Sequence, residues 1–316
     1  LKTFVVIGIG KLGLRHLEGI INSGIYAKII AIDKDISTLE NVKKIIREIN
    51  HLGGIEFKTK LPKNINIDIA IVSTDSKNRF DISKFLIQNN NVKNLILEKV
   101  VFSNSKHFRD FSAILNNSQC NCYVNLPRRL FPHYQLLKEY INKKYSFSAK
   151  ISGGTWGLAS NALHFIDLLQ YLFDSKIIKI DTKKLGSFFP SKRSGYLEID
   201  GILTIEFENN SFAEIICSKE KFEHIHIELS YEDTNVDIIE KEGAFLNITN
   251  KNIQIPIKQL MVIDTTAMII QKILNNEDCL IPPFSEVKAN HEFFVNSLIN
   301  YFTINKKLIS EEFHIT

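Results

Sequence analysis

The chain has 316 residues, 44% of them hydrophobic, which is enough to bury one large core or two smaller ones, and two domains are expected. The 39 basic and 35 acidic residues leave a formal charge of +4, too little for a protein whose main task is to grip nucleic acid or an anionic bilayer by charge. Cys120, Cys122, Cys217 and Cys279 form one C-x-C pair and no C-x-x-C, with no histidine at metal-ligand spacing. They read as reduced structural thiols, and no metal site is expected. There is no run of about 18 apolar residues and no basic leader with a cleavage site before the first strand, so the expectation is a soluble, cytoplasmic protein without a membrane partner.

Up to about residue 120, strand-like and helix-like segments alternate. "TFVVIG", "AKIIAID", "DIAIVST" and "NLILEKV" are short, β-branched and almost continuously apolar, as strands covered on both faces are. Helical patterns lie between and after them: "KLGLRHLEGIINSG", "STLENVKKIIREIN", "KNRFDISKFLIQNN" and "SKHFRDFSAILNN". This order predicts right-handed crossovers and a parallel, doubly wound sheet. A further strand, "CYVNLP", leads into a helix over about 132–144, and then the rhythm changes. "SFSAKIS", "IIKIDTKKL", "EIDGILTIEFEN", "SFAEIICS", "HIHIELSY", "NVDIIE", "AFLNIT" and "NIQIPI" follow as strands, some joined by hairpin-type turns. One helix around "NALHFIDLLQYLF" interrupts them, and "MVIDTTAMIIQKILN" and "SEVKANHEFFVNSLINYF" close the chain as helices. The expected architecture is α/β: an N-terminal Rossmann domain over 1–121, then an α+β domain over 122–316 with a large, mostly antiparallel open sheet.

"FVVIGIGKLGLRH" carries Gly8, Gly10 and Gly13 between a buried strand and a helix, the context in which G-x-G-x-x-G binds a dinucleotide. Gly8 permits the turn and Gly10 admits a pyrophosphate, with Lys11 and Leu12 in the same turn. Gly13 lets the helix pack on the strand, and the helix N-terminus offers its free N–H groups. Asp33, twenty residues after Gly13, ends the second strand, where a carboxylate accepts from both ribose hydroxyls and repels a 2′-phosphate. This favours NAD over NADP, less sharply with Lys34 adjacent; a purely structural turn beside a surface aspartate is the alternative. Ser73, Thr74, Asn78 and Arg79 in "VSTDSKNRF" stand where such a ligand is lined, or where a helix simply starts.

Two candidates carry chemistry. Glu98 and Lys99 end the strand "LILEK", and a lysine partly desolvated beside a cofactor suits proton exchange with a hydroxyl, although a solvated loop lysine is equally compatible with the position. In "GLASNALHFIDLLQYL", Asn161, His164 and Asp167 fall at i, i+3 and i+6 of a helix starting near Ser160. A neutral imidazole near that N-terminus can accept a proton from an alcohol, and a satisfied core histidine is the alternative. Arg128, Arg129, Lys192 and Arg193 can bind a phosphate or carboxylate or be solvated charges, and Trp156 can stack on a sugar face or pack in the core.

"VIGIGKLGLRH", "LEKV", "VNLPRRLFPHY" and "ALHFIDLLQYL", in this order, resemble the motifs of the glucose-fructose oxidoreductase, inositol dehydrogenase and rhizopine-catabolism (Gfo/Idh/MocA) family. The resemblance spans both halves of the chain. It implies a Rossmann domain followed by an α/β domain whose open sheet mediates oligomerisation, and NAD(P)-dependent oxidation or reduction of sugars, cyclitols and sugar nucleotides. The family's catalytic lysine falls on Lys99 and its histidine on His164, while Asn125, Arg128 and Arg129 correspond to residues near nicotinamide and substrate. Two departures stand out: Val100 where proline is usual, and Ser160 where many relatives carry an aspartate four residues before the histidine.

The expected function is that of an NAD-dependent dehydrogenase acting on a secondary alcohol of a sugar, a sugar nucleotide or acidic sugar of surface-carbohydrate biosynthesis being favoured. Lys99 and His164 would face each other across the interdomain cleft, in a homodimer or homotetramer joined through the second sheet. A non-catalytic dinucleotide-binding sensor or scaffold, and a glycosidase that oxidises its substrate transiently, are the alternatives.

Overall fold

The computed structural model describes residues 1–47, 53–141, 144–192, 195–220, 224–304 and 315. The chain divides into two compact units, Leu1–Asn125 with Leu260–Lys288, and Leu126–Gln259 with Ala289–Thr316.

The first unit is built on six strands, β1 (Lys2–Ile7), β2 (Ala27–Ile32), β3 (Ile55–Lys58), β4 (Asn66–Val72), β5 (Asn91–Leu97) and β6 (Asn121–Val124), in the order β3-β2-β1-β4-β5-β6. All adjacent pairs are parallel. Helices α1 (Lys11–Asn22), α2 (Ile36–Ile46), α3 (Ser76–Asn89) and α4 (Ser105–Asn116) supply crossovers, so the carboxyl-terminal parts of β1, β4 and β5 are buried, whereas each strand starts exposed. Asp35, Asp75 and Asn104 cap α2, α3 and α4 through their side chains, whereas α1 starts at Gly10 with no side-chain cap.

A correction to the expected boundary comes from α7 (Val262–Leu274). Residues 122–316 are all expected in the second domain, yet 260–288 belongs to the first unit. The reason is packing: α7 lies against α1 at Gly19, where a side chain on α1 would put its Cβ 2.6 Å from Thr266 Cβ. The Gln271 side chain also donates to the Ser23 carbonyl at 3.0 Å, and the Val124 N–H donates to the Pro282 carbonyl at 3.0 Å.

The second unit begins with α5 (Pro132–Tyr140), shorter than the 132–144 expected, and continues through β7 (Ser148–Gly154), α6 (Leu158–Phe173), β8 (Ile177–Asp181), β9 (Leu185–Pro190), β10 (Leu197–Phe207), β11 (Phe212–Ser218), β12 (His226–Tyr231), β13 (Thr234–Ile239), β14 (Phe245–Ile248) and β15 (Ile253–Pro256). These nine strands form one sheet ordered β15-β14-β13-β12-β7-β11-β10-β8, with β9 also pairing β10. Only β7 and β11 pair in parallel; the other pairs are antiparallel. Helix α6 packs on β10 and β11, and Leu203, Ile205, Ala213 and Ile215 are fully buried. Helix α8 (Phe284–Ile304) closes the described chain.

The opposite face of this sheet mixes apolar and charged side chains, with Phe212, Ile239 and Phe245 exposed on it. Lys150 stands between Glu214 and Glu228 in register, with the Glu228 carboxylate at 3.6 Å, and Lys184 meets Glu214 at 3.0 Å. Ile202 and Ile216 are its apolar neighbours in the next row. Period-two alternation explains the split, because each strand sends every second residue outward. Among the described residues no helix is long and apolar enough to cross a membrane.

Candidate functional site

At the carboxyl edge of the first sheet the glycine turn joins β1 to α1. Gly8 adopts φ +84°, and a Cβ on Gly13 would lie 1.9 Å from the Gly8 carbonyl oxygen, so only glycine lets α1 start this close to the turn. A Cβ on Gly10 would meet nothing within 4 Å. The turn is braced by Ser73, whose hydroxyl donates to the Ile7 and Gly8 carbonyls at 3.0 and 2.9 Å. Ser73 thus shapes the loop from beneath. Thr74, beside Gly8, has a buried hydroxyl oxygen with no partner. Lys11 and Leu12 are exposed on the first turn of α1.

Asp33 follows β2. Its carboxylate accepts from the Ile9 N–H at 2.9 Å and from the Asp35 N–H at 3.0 Å, which ties the strand end to the glycine turn and leaves further lone pairs on each oxygen. An uncapped helix start, room above Gly10 and an acceptor at Asp33 fit a bound dinucleotide.

Two of the expected lining residues are turned elsewhere. Arg79 is buried, and its guanidinium donates to the carbonyls of Thr74, Val100 and Val101. Asn78 is exposed, and its amide lies against the Asp75 carboxylate at 2.8 Å. Both are corrections: Arg79 ties α3 to the segment after β5, and Asn78 completes a helix cap.

Lys99 is half-buried just after β5. The peptide that follows it is cis. Val100 is fully buried, so the segment behind Lys99 is held by the core and by Arg79. Preceding it, Glu98 is buried and accepts at Oε1 from the Asn125 amide at 2.5 Å and lies 2.9 Å from His16 Nε2. His16 Nδ1 in turn meets Thr266 Oγ1 at 2.8 Å. Burial alone would raise the Glu98 carboxyl, but the hydrogen bond and charge of His16, with the Asn125 amide, hold it below the usual carboxylate range. His16 and Thr266 are not among the residues expected at the site. A buried histidine three residues after the glycine motif was the one local signal for the first, and nothing local marked the second.

In the second unit, α6 starts after Gly157. Glu198 on β10 caps it: Oε2 accepts from the Ala159 N–H at 3.0 Å and Oε1 from the Ser160 hydroxyl. Ser160 thus meets a carboxylate from a strand 38 residues away, and that carboxylate is engaged in capping the helix. Asn161 donates to the Trp156 carbonyl at 2.7 Å, and His164 lies half-buried one turn after Ser160. Trp156 is half-buried, with its indole N–H on the Ile216 carbonyl at 3.1 Å and its ring against Phe165.

Arg128 and Arg129 do not present free guanidinium groups. Arg129 pairs with Asp167 through Nε–Oδ2 and Nη2–Oδ1 at 2.9 and 2.6 Å. Arg128 pairs with Glu240 at 3.0 and 2.9 Å, over the Phe165 ring. Tyr134 also donates to Glu240, at 2.7 Å. Burial opposes ionisation of Glu240, but Arg128 and Tyr134 hold it below the ordinary carboxylate range. The expectation that this pair binds an anionic substrate is corrected: each fork is already closed on a carboxylate. Lys192 is exposed, and Arg193 lies outside the described residues. All four cysteines are free thiols, and burial pushes Cys120 up to about 12 and Cys122 well above its ordinary value.

Solved structures share this fold over nearly the whole chain. A super-repressor mutant of Gal80p from Saccharomyces cerevisiae matches with a TM-score of 0.73 at 14% identity, covering 96% of both chains. Biliverdin reductase from Synechocystis, solved with biliverdin and NADP+, matches at 0.71 and 13%, covering 95% of this chain and 98% of that one. The UDP-N-acetylglucosamine 3-dehydrogenase GnnA from Acidithiobacillus ferrooxidans matches at 0.68 and 10%, over 95% and 96%. No family model matches the sequence, and no curated protein matches it. The likeness is one of fold, a Rossmann-like parallel sheet followed by a nine-stranded, mostly antiparallel sheet.

Proposed function

We propose that the protein is a dinucleotide-dependent oxidoreductase acting on a secondary alcohol of a carbohydrate, with NAD preferred to NADP. One observation carries the reading: within the first unit, a glycine turn with an open helix start follows β1, and Lys99 follows β5 at the same edge, two strands away or roughly 10 Å. The nicotinamide supplies a hydride acceptor or donor when bound. Lys99 takes or returns the hydroxyl proton, Asp33 holds the adenosine ribose, and Asn125 lines the nicotinamide. In the second unit His164 assists the proton transfer, Asn161 and Trp156 contact the sugar, and the Glu198–Ser160 pair fixes the start of the helix that carries His164.

The preference for an acidic sugar rested on Arg128, Arg129, Lys192 and Arg193; the first two are paired with Glu240 and Asp167, Lys192 is exposed and Arg193 lies outside the described residues, so the proposal keeps the secondary alcohol and makes no claim on substrate charge. Self-association through the outer face of the second sheet is part of the reading, and light scattering at micromolar concentration tests it. A sensor that binds dinucleotide without turnover is the second reading; Ser160 in place of the family's aspartate favours it.

Absorbance at 340 nm, with NAD and a panel of sugars and sugar nucleotides, separates the readings: net turnover supports the first, and binding alone the second. Lys99→Ala is expected to lower kcat by roughly two to four orders of magnitude with dinucleotide affinity nearly intact. If His164 acts on the same proton, His164→Ala adds less in the double variant than alone. Full turnover by Lys99→Ala would refute the mechanism.

A further inference from the structure

The buried row Thr266–His16–Glu98–Asn125 leaves one atom open. A carboxylate only accepts hydrogen bonds, so Asn125 must turn its amide nitrogen to Glu98 and its carbonyl oxygen away. That oxygen, Oδ1, is buried and has no partner, in a residue only 5% exposed. Rotation cannot relieve it without placing oxygen against the carboxylate. The backbone is fixed as well, since the Asn125 N–H donates to the Leu97 carbonyl at 2.8 Å. An amide oxygen left in this state is costly unless a donor arrives.

His16 sets the arrangement. The Thr266 hydroxyl donates its only proton to the Val262 carbonyl at 2.6 Å, so it accepts from His16 Nδ1–H. A proton then lies on the bond between His16 Nε2 and Glu98 Oε1, and this contact, with the Asn125 amide, holds Oε1 in place. All four residues belong to the first unit, and Asn125 immediately follows β6, which pairs with β5, the strand that Lys99 follows. The donor that satisfies Oδ1 must carry an N–H or O–H and no negative charge, because the Glu98 carboxylate is adjacent; phosphate is excluded on that ground.

Building on the dinucleotide reading, we propose that His16 is a positioning residue for the nicotinamide: through Glu98 it fixes Asn125 with Oδ1 open, and that oxygen accepts from the carboxamide N–H. Thr266, brought in by α7, aims His16.

The test compares the Kd of NADH with that of the reduced 3-acetylpyridine analogue, which keeps the ring carbonyl and lacks the N–H. The wild-type chain is expected to bind NADH about tenfold more tightly than the analogue, or more. Asn125→Leu and His16→Leu bring the ratio near one, whereas His16→Gln, which keeps a donor toward Glu98, retains most of it. Loss of fold alone lowers both affinities and leaves the ratio where it was. Should His16→Leu not fold, Thr266→Val, expected to lower the ratio partway, carries the same test. A wild-type ratio near one, or an unchanged ratio in the folded His16 and Thr266 variants, overturns the proposal while dinucleotide binding stands. Absence of any NADH binding by the wild-type chain overturns the dinucleotide reading itself, and this inference with it.

Discussion

Replacing Arg129 with methionine tests whether its charge belongs to the fold or to a ligand. Its guanidinium is 7% exposed at the side chain and the Asp167 carboxylate 2%, joined by two hydrogen bonds of 2.9 and 2.6 Å. Methionine fills most of the volume and removes the charge, leaving a carboxylate buried without its partner. Breaking a buried pair in this way costs about 3–5 kcal/mol. With a urea dependence of about 2 kcal/mol per molar, the midpoint moves down by about 2 M. The chain has a single tryptophan, Trp156, which packs against Phe165 in the unit that holds the pair, so its fluorescence during urea titration follows that unit. Removing both charges in Arg129→Met/Asp167→Leu should return the midpoint close to that of the parent, because no uncompensated ion remains. A loss of under about 1 kcal/mol in the single variant, or weakened binding of anionic sugars at unchanged stability, would refute the structural assignment and restore Arg129 as a ligand residue.

At the dinucleotide end, Asp33→Ser should narrow or reverse the preference for NADH over NADPH, read as the ratio of Kd values; equal or tighter NADPH binding by the parent chain contradicts the assignment. Gly13→Ala should lower the melting temperature and abolish dinucleotide binding together, because the new Cβ would sit 1.9 Å from the Gly8 oxygen and α1 must back away. Glu98 sets an acid limit. Its folded pKa is depressed below the ordinary 4.5, so its stabilisation is complete above about pH 4.5 and is lost as pH falls through the folded value. Glu98→Gln should therefore be less stable at pH 7 and show a shallower loss of stability below pH 4.5, measured by thermal melts across that range.

The parts legible in the sequence were those whose cause is local. A buried strand, three glycines, a helix and an acid at the next strand end lie within 33 residues, and each constrains the next through turn geometry and crossover length. Lys99 could be placed at a strand end for the same reason. What escaped depends on contacts remote in sequence. His16 and Thr266 are 250 residues apart, and no periodicity in "MVIDTTAMIIQKILN" says that this helix returns to α1. Glu198 sits inside an apolar strand pattern, and its task as cap of α6 appears only once β10 is laid beside that helix. The arginines of "LPRRLF" were misread because sequence shows a cation but hides its counterion: Asp167 and Glu240 lie 38 and 112 residues further on. The short strands β3 and β9 were not named, for four to six residues with little burial leave almost no pattern to read.

Buried charge is therefore poor evidence of a ligand site until its hydrogen bonds are followed to the end. Asp167 and Glu240 each meet both nitrogens of an arginine fork, and Glu198 ends on the N–H groups and hydroxyl at a helix start. In those three clusters the carboxylate's partners lie within the second unit, and their physical role is to fix one element against another. Glu98 differs in one respect. Its partners are also protein groups, but one of them, Asn125, is forced to leave an acceptor buried and unanswered, and Thr74 beside Gly8 does likewise with its hydroxyl. Selection for stability alone would favour an apolar residue at either position, since an unmet polar atom costs more than its absence. Both atoms lie in the first unit, beside the glycine turn and after β6, and a ligand carrying hydrogen-bond donors along that sheet edge is the simplest physical reason for keeping them.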